Sequence, residues 1–202
     1  MRGERIRRNL YFIRHAQYCH RHDQPGQPDG PLTDHGREQA QLTAQRLRAL
    51  PISIIHHSDL ERTTETAQII ARALPNAEIR VSSILRECIP SLPPLDNHSD
   101  DVRHFFQSLP PHVVEDGARQ LEHAAGYYLT PSANESHEVI VSHGNIICAL
   151  IARALRAPTD AWLNLDIHHC GISQLVITTP GSAVLLCHSD TGHLPPQLRT
   201  HT

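Results

Sequence analysis

Short apolar runs, each bounded by polar residues, recur along this 202-residue chain, and helical spacing follows them. Leu10–Ile13, Ile52–His56 and Glu138–Val141 are too short to be buried helices and read as buried strands. Between about Thr33 and Leu50, Ala40, Ala44, Leu47 and Leu50 recur on one helical face. After Ser58 the face is Leu60, Thr63 or Thr64, Ala67, Ile70 or Ala71, and Leu74, and Ser58 with Glu61 has the spacing of a capping box. From about His143, a third stripe carries Ile146, Ile147, Leu150, Ile151, Ala154 and Leu155. Strand–helix alternation of this kind predicts an α/β fold, a three-layer α/β/α sandwich around a mostly parallel sheet.

Two later runs, Ile172–Thr178 and Ala183–Cys187, flank "TPGS" and predict a hairpin or tight turn. The stretch "CIPSLPPLDNHSDD" has proline and acid but no period. It reads as a loop, at about 88–106, capping one end of the sheet. With no internal repeat and no long linker, one domain over 1–202 is expected.

Composition then narrows the function classes. Apolar residues make up 39% and aromatics only 4%, so the core should be mostly aliphatic. A net charge of -3 gives no global case for nucleic acid or an anionic membrane, so any anion site must be local. No run of about 20 apolar residues is present, so no membrane span is expected. Arg14 interrupts the apolar stretch after the basic Arg2, Arg5, Arg7 and Arg8, which argues against a signal peptide. Five cysteines without a CxxC pair argue against a disulfide framework and for a reducing, cytoplasmic setting. There is no HExxH, Asp-rich loop or spaced Cys/His quartet, so neither metal nor cofactor is expected. Most of the 17 histidines should be solvated, with His20 and His22 in a loop.

Ligands of an open α/β sheet bind beyond the carboxyl ends of its strands. Arg14 and His15 follow the first run, and Ser58 then Arg62 follow the second. Arg86 and Glu87 follow Ile79–Leu85, and Ser142, His143 and Gly144 follow "VIV". Arginine forks and helix N-termini bind phosphate. A neutral imidazole can attack phosphorus, and a carboxylate can protonate a leaving oxygen and then deprotonate water. Singly, each residue has a plainer reading. Arg14 and His15 could be a polar strand edge, Arg62 a solvated helix residue, Glu87 a partner of Arg86 and His143 a helix cap. Their coincidence at one sheet edge favours a site.

Five blocks in chain order carry a family resemblance: "IRHAQ", "LTDHGREQAQLTAQRL", "HSDLERTTETAQII", "LRE" and "VIVSHGNII". Together they resemble the histidine phosphatase superfamily, the phosphoglycerate mutase-like enzymes. "IRHAQY", "LRECIPSLPP", "EDGARQLEHAAGYY", "SHGNII" and "SDTGHLPP" are similar to its mitochondrial serine/threonine phosphatase branch. That branch's membrane anchor and multimerisation segment have no counterpart here, so its mitochondrial address is not expected to carry over. The resemblance implies that His15 takes the phosphoryl group. Arg14, Arg62, His143 and the Gly144 N–H would hold its oxygens, and Glu87 would serve as acid and then base. Ala16 replaces the family's glycine and is expected to narrow the approach of phosphate, and Cys88 replaces a small glycine beside Glu87.

The activity so implied is a metal-independent phosphomonoesterase acting on phosphoserine or phosphothreonine in proteins or peptides. A small-molecule phosphatase or a phosphoglycerate-type mutase is the alternative, and a non-catalytic binding module a third reading. A mutase must clamp a carboxylate, yet the segment containing the cap holds only Arg103 and Arg119 as permanent cations. The acidic and apolar cap also disfavours a polyanionic substrate. The resembling branch pairs subunits through a tail like "SDTGHLPP", so a homodimer is expected. His168 and His169, after "WLNLDI", either reach the substrate or lie at a strand edge.

Overall fold

The computed structural model describes residues 6–19, 29–179 and 181–201. His20 and His22, Arg2 and Arg5 lie outside the described residues. The three apolar runs form β1 (Arg7–Arg14), β2 (Ile54–His57) and β4 (Ser136–Ser142), with β3 (Glu78–Val81) beside β2. The sheet order is β3-β2-β4-β1-β5-β6, where β5 is Ile172–Thr178 and β6 is Ser182–Asp190. β1 pairs parallel with β4, and β2 pairs parallel with both β4 and β3. β5 runs antiparallel to β1, and β6 antiparallel to β5, so the expected hairpin forms one border of a mostly parallel sheet.

Alternation along β1 builds the layers. Leu10 and Phe12 join Ile140 in a core shared with α4 (Pro111–Tyr128) and α5 (Gly144–Ala154). Tyr11 and Ile13 join Val139 and Val141 in a second core with α1 (Asp34–Leu47) and α2 (Glu61–Arg72). Successive strand side chains point to opposite faces, so one strand serves both cores. Each fully buried Leu, Ile or Phe contributes about 1.5–3 kcal/mol of hydrophobic stabilisation. Under the sheet's far end, Arg8 grips the Glu138 carboxylate through Nε at 2.8 Å and Nη2 at 2.7 Å, both side chains buried.

Three expectations change. α1 stops at Leu47, leaving Leu50 half-buried in the following turn. The Ser58–Glu61 capping box does not form. Asp29 caps α2 instead, its carboxylate accepting from Glu61 N at 2.6 Å and Arg62 N at 3.4 Å. The cap at 88–106 is not wholly a loop: it has a 3₁₀ turn at Leu95–Asn97, and its last residues enter α3 (Asp100–Ser108). Asp100 and Asp101 in the first turn suit the positive end of that helix. Pro111 then opens α4, a long helix that the periodicity reading passed over. Gly117 lets α4 press on the chain just after Glu87, since a Cβ there would overlap the Ile89 carbonyl. Nor are the histidines mostly solvated where it matters: His15, His56, His57, His143 and His169 are buried.

Candidate active site

Parallel β1, β2 and β4 end side by side, so the residues that follow them meet. His15 continues β1, with its N–H bonded to the Ser142 carbonyl at 2.9 Å. Its Nδ1 lies 2.9 Å from the Ala16 carbonyl oxygen, and the ring is buried. A carbonyl only accepts, so Nδ1 carries the proton and Nε2 keeps a bare lone pair. Burial, His143, Arg62 and Arg14 lower the His15 pKa well below the ordinary histidine range, outweighing the opposing bond to Ala16. The ring is therefore neutral at ordinary pH.

His143 packs against it, ring centroids 5.2 Å apart. The Arg62 guanidinium meets His143 Nδ1 at 3.0 Å, and Nε2 faces Ser58 Oγ at 3.0 Å. A guanidinium only donates, so the His143 proton resides on Nε2. Burial first, then Arg62 and Arg14, hold its pKa well down. Arg62 also bonds Asp29 Oδ1 at 3.0 Å and lies 4.7 Å from the centre of the Tyr18 ring. Arg14 donates Nη1–H to the Ile167 carbonyl at 2.8 Å, while its buried Nε has no hydrogen-bond partner among the described residues.

Glu87 arrives from the turn after β3. Ser142 Oγ anchors that turn by donating to the Leu85 carbonyl at 2.7 Å. Glu87 Oε1 then accepts from the first turn of α5, from Asn145 N at 3.1 Å and Ile146 N at 3.3 Å. The residue keeps an exposed edge although protein surrounds its carboxyl group, and burial of that group raises its pKa against the opposing N–H donors. The packing around the carboxyl itself sets this upward direction. Arg86, the plainer partner for Glu87, forks onto Asp59 instead, with both bonds at 2.6 Å. Gly144 separates Arg14 from Glu87; a Cβ there would stand 3.9 Å from each.

The structure places His15, Arg62 and His143 in mutual contact and Arg14, Glu87 and Gly144 beside them, but only the last three line the adjoining pocket. Arg14, Glu87, Gly144 and Asn145 line a pocket of about 270 Å³ that Trp162 and Asp166 complete. A larger cleft of about 430 Å³, running from Ala118 and Glu122 to Arg153 and Arg156, contains none of them, so size does not select the site. Among the described residues, no group of three or more His, Cys, Asp or Glu is disposed to hold a metal ion.

Ala16 does not narrow the pocket as expected. It is fully buried in a core of Leu32, Ala40, Ile69, Cys170 and Leu194. Its N–H donates to Thr66 Oγ1 at 3.1 Å, and Thr66 Oγ1 donates to the Arg62 carbonyl at 2.7 Å, tying the His15 loop to α2. Cys88 leaves the Glu87 loop intact, for its carbonyl accepts from Asn145 Nδ2 at 3.2 Å. Burial pushes its thiol up to about 12, so it is chemically quiet.

Two contributors escaped the sequence reading, Asp29 and Gln39, and one left open there, His169, is placed by the structure. Asp29 caps α2 and pairs with Arg62. Gln39 accepts from Gln17 N at 2.9 Å and donates to the Leu198 carbonyl at 2.7 Å, joining the His15 loop to the C-terminal segment. Only the "GREQA" block hinted at Gln39. His169 packs 5.5 Å from the His15 ring, with its pKa lowered to about 3 by burial and Arg14. His168 turns away to Ser189 Oγ at 3.0 Å.

A family model of the histidine phosphatase superfamily (branch 1) matches residues 10–190 of this chain. The chain belongs to the histidine phosphatase superfamily. The mouse mitochondrial serine/threonine-protein phosphatase PGAM5 is 34% identical over 96% of this chain and 67% of its own length. Its counterpart from Drosophila virilis is 36% identical over 96% of this chain and 67% of its own. The chain thus spans about two thirds of those relatives. Phosphoglycerate mutase from Plasmodium falciparum superposes with TM-score 0.63 at 25% identity, covering 98% of this chain and 99% of that one. Bacillus stearothermophilus YhfR gives TM-score 0.73 at 22% identity over 93% of this chain and 99% of its own, a likeness of fold.

This histidine phosphatase is a phosphoric monoester hydrolase with the phosphoglycerate mutase-like fold. One expectation is overturned: the relatives are named as mitochondrial, which corrects the cytoplasmic reading. Thiol usage reports redox conditions and does not distinguish between reducing compartments. Among the described residues, no helix is long and apolar enough to cross a membrane.

Proposed function

We propose that this histidine phosphatase hydrolyses phosphoserine or phosphothreonine in proteins or peptides, and that His15 carries the phosphoryl group between the two half-reactions. The observation that carries the mechanism is the bond from His15 Nδ1 to the Ala16 carbonyl, which leaves Nε2 bare at the sheet edge. The Nε2 lone pair attacks phosphorus in line with the departing oxygen. The P–O bond to the substrate breaks, and the Glu87 proton passes to that oxygen. Arg14, Arg62 and the Gly144 N–H hold the phosphoryl oxygens, and His143 joins them by turning its Nε2–H from Ser58 Oγ to the phosphoryl group. Water then attacks phosphorus while Glu87, now a carboxylate, takes its proton. The N–P bond breaks, and His15 and inorganic phosphate are restored.

The protein-phosphatase reading draws on the names of the relatives and on the pocket's charge. Among the described residues that line the pocket, Arg14 is the one Lys or Arg, beside Glu87 and Asp166, and none of them offers a clamp to a second anionic group on the substrate. A phosphoglycerate-type mutase needs such a clamp, which makes hydrolysis the better reading. We treat 1–202 as one working domain and retain the homodimer, for which Val184 and Leu186 are exposed on border strand β6. Sedimentation showing only monomer at micromolar concentration would remove the dimer.

The test is a substrate panel in chelator: phosphopeptides, sugar phosphates, 3-phosphoglycerate and polyphosphate. Phosphopeptides should lead, and His15→Ala should abolish turnover of all of them. Sugar phosphates or polyphosphates ranking far above phosphopeptides would defeat the reading.

A further inference from the structure

A second cavity adjoins the pocket lined by Arg14, Glu87 and Gly144. It is a groove of about 370 Å³ whose walls are Ile89, Val102, Phe105, Phe106, Trp162 and Leu163. Its polar borders are Asp101 and Asn145. Asn145, Trp162 and Leu163 line both spaces, so the groove continues the pocket.

The direction of that continuation matters. A general acid must stand beside the oxygen it protonates. Glu87 is held by the backbone N–H of Asn145, the residue where the groove begins. The alcohol leaving from phosphorus therefore departs on the groove's side. The groove itself is built before any ligand arrives. Trp162 is fixed by Nε1–H donation to Ser91 Oγ at 2.9 Å. Phe106 meets Trp162 edge-on at 6.3 Å and Phe105 at 5.2 Å. Phe105 stays 50% exposed, an aromatic ring left standing in solvent at the mouth.

We infer that this groove is the leaving-group subsite, and that it selects an uncharged aromatic or large aliphatic side chain next to the phosphorylated residue. This deepens the proposed phosphopeptide reading and rests on it. Apolar walls gain from covering an apolar side chain, and aromatic walls gain further from edge-on packing. None of the described residues lining the groove is Lys or Arg, while Asp101 borders it and Asp166 borders the pocket. A carboxylate beside the phosphoester meets repulsion from both and no cationic partner among the described lining residues.

The test uses kcat/KM ratios. Phosphopeptides differing only in the residues flanking phosphoserine (Phe, Gly or Glu) are compared in chelator. In parallel, 2-phenylethyl phosphate is compared with ethyl phosphate, two esters of alcohols with similar acidity. The Phe peptide should exceed the Gly peptide by on the order of tenfold, as apolar pockets discriminate by about that much, and the Glu peptide should fall below Gly. Phe105→Ser and Val102→Ser should each pull the Phe/Gly ratio towards one. Equal handling of Phe and Gly peptides, together with equal handling of the two esters, overturns the inference. So does a ratio unmoved by both substitutions, the result expected if a second copy of the chain covers the groove. If no phosphopeptide reacts but 2-phenylethyl phosphate is preferred and Phe105→Ser removes that preference, the subsite stands and the phosphoprotein reading falls.

Discussion

His15 binds the carbonyl of its own neighbour, Ala16, through Nδ1 at 2.9 Å. That contact sets the tautomer of the nucleophile before any substrate enters. The contact is local, between adjacent residues, and is made as soon as the loop after β1 folds. The loop in turn is held by Thr66 and Gln39, so nucleophile geometry depends on α1 and α2 as much as on the strand.

The tautomer can be read directly. Long-range ¹H–¹⁵N spectra of histidine-labelled protein should show His15 protonated at Nδ1 and bare at Nε2. Burial lowers its pKa well below the usual 6.5, so the neutral form should persist as pH falls through 6.5 and charge only at much lower pH. Titration at or above 6.5, or a proton on Nε2, would refute the assignment.

Glu87 should matter in proportion to how poor the leaving group is. Burial raises its pKa, so it stays protonated, and able to donate, to a higher pH than an ordinary glutamate. For alkyl phosphates, the phosphorylation rate should fall as pH rises through that raised value. Aryl phosphates, which leave without a proton, should lack this limb. Glu87→Gln should lower the alkyl rate by about 10²–10⁴-fold and the aryl rate much less in the phosphorylation step. Equal losses for both classes in single-turnover experiments would contradict an acid role.

Gly36 is expected to be intolerant of substitution. A Cβ there would overlap the Gln17 carbonyl where α1 presses on the His15 loop. Gly36→Ala should destabilise by about 1–3 kcal/mol through overpacking and lower activity as the loop shifts. Gly126→Ala, where a Cβ would meet nothing within 4 Å, is the control. Urea unfolding of both variants checks this; equal stability of the two would remove the close approach from the account.

The Arg8–Glu138 pair predicts an acid-sensitive fold. Desolvation alone would raise the Glu138 pKa, but bonds from His56, Arg8 and Ser136 outweigh it and bring it to about 2. The His56 contact is the weakest of these, 3.3 Å with poor alignment, so Arg8 and Ser136 do most of the lowering. A carboxylate depressed in the folded state stabilises fully above its unfolded pKa near 4.5, and that contribution is lost as pH falls from there towards about 2. Glu138→Gln should cost about 3–5 kcal/mol at pH 7, because Arg8 is left buried and unpaired. It should also flatten the acid limb of stability. An unchanged acid limb in thermal melts would show that another group sets it.

Much of this was legible in the chain, for a specific reason. His15, Arg62, Glu87 and His143 follow apolar runs, and parallel strands bring whatever follows them to one edge. The layers were legible because Leu10–Ile13 alternate and the stripes of α1, α2 and α5 are regular. Ser58 was misread and Asp29 passed over because capping was judged by local spacing, whereas the α2 cap comes from a residue 32 positions earlier. α4 was missed because Gly117 sits inside it, although that glycine is required by the Ile89 backbone. His168 and His169 were both candidates, and only tertiary packing decides between them, since it brings His169 and not His168 against the His15 ring. Ala16 was misplaced because a motif position does not say which way a methyl group points.

The central claim is a phosphoryl group on His15 Nε2. Rapid acid-free quenching of enzyme with ³²P-labelled phosphopeptide, followed by mapping of the labelled residue, tests it most directly. The account predicts a base-stable, acid-labile label on His15 that is absent from His15→Ala. A label that survives His15→Ala, or steady turnover of alkyl phosphopeptides by His15→Ala, would contradict it.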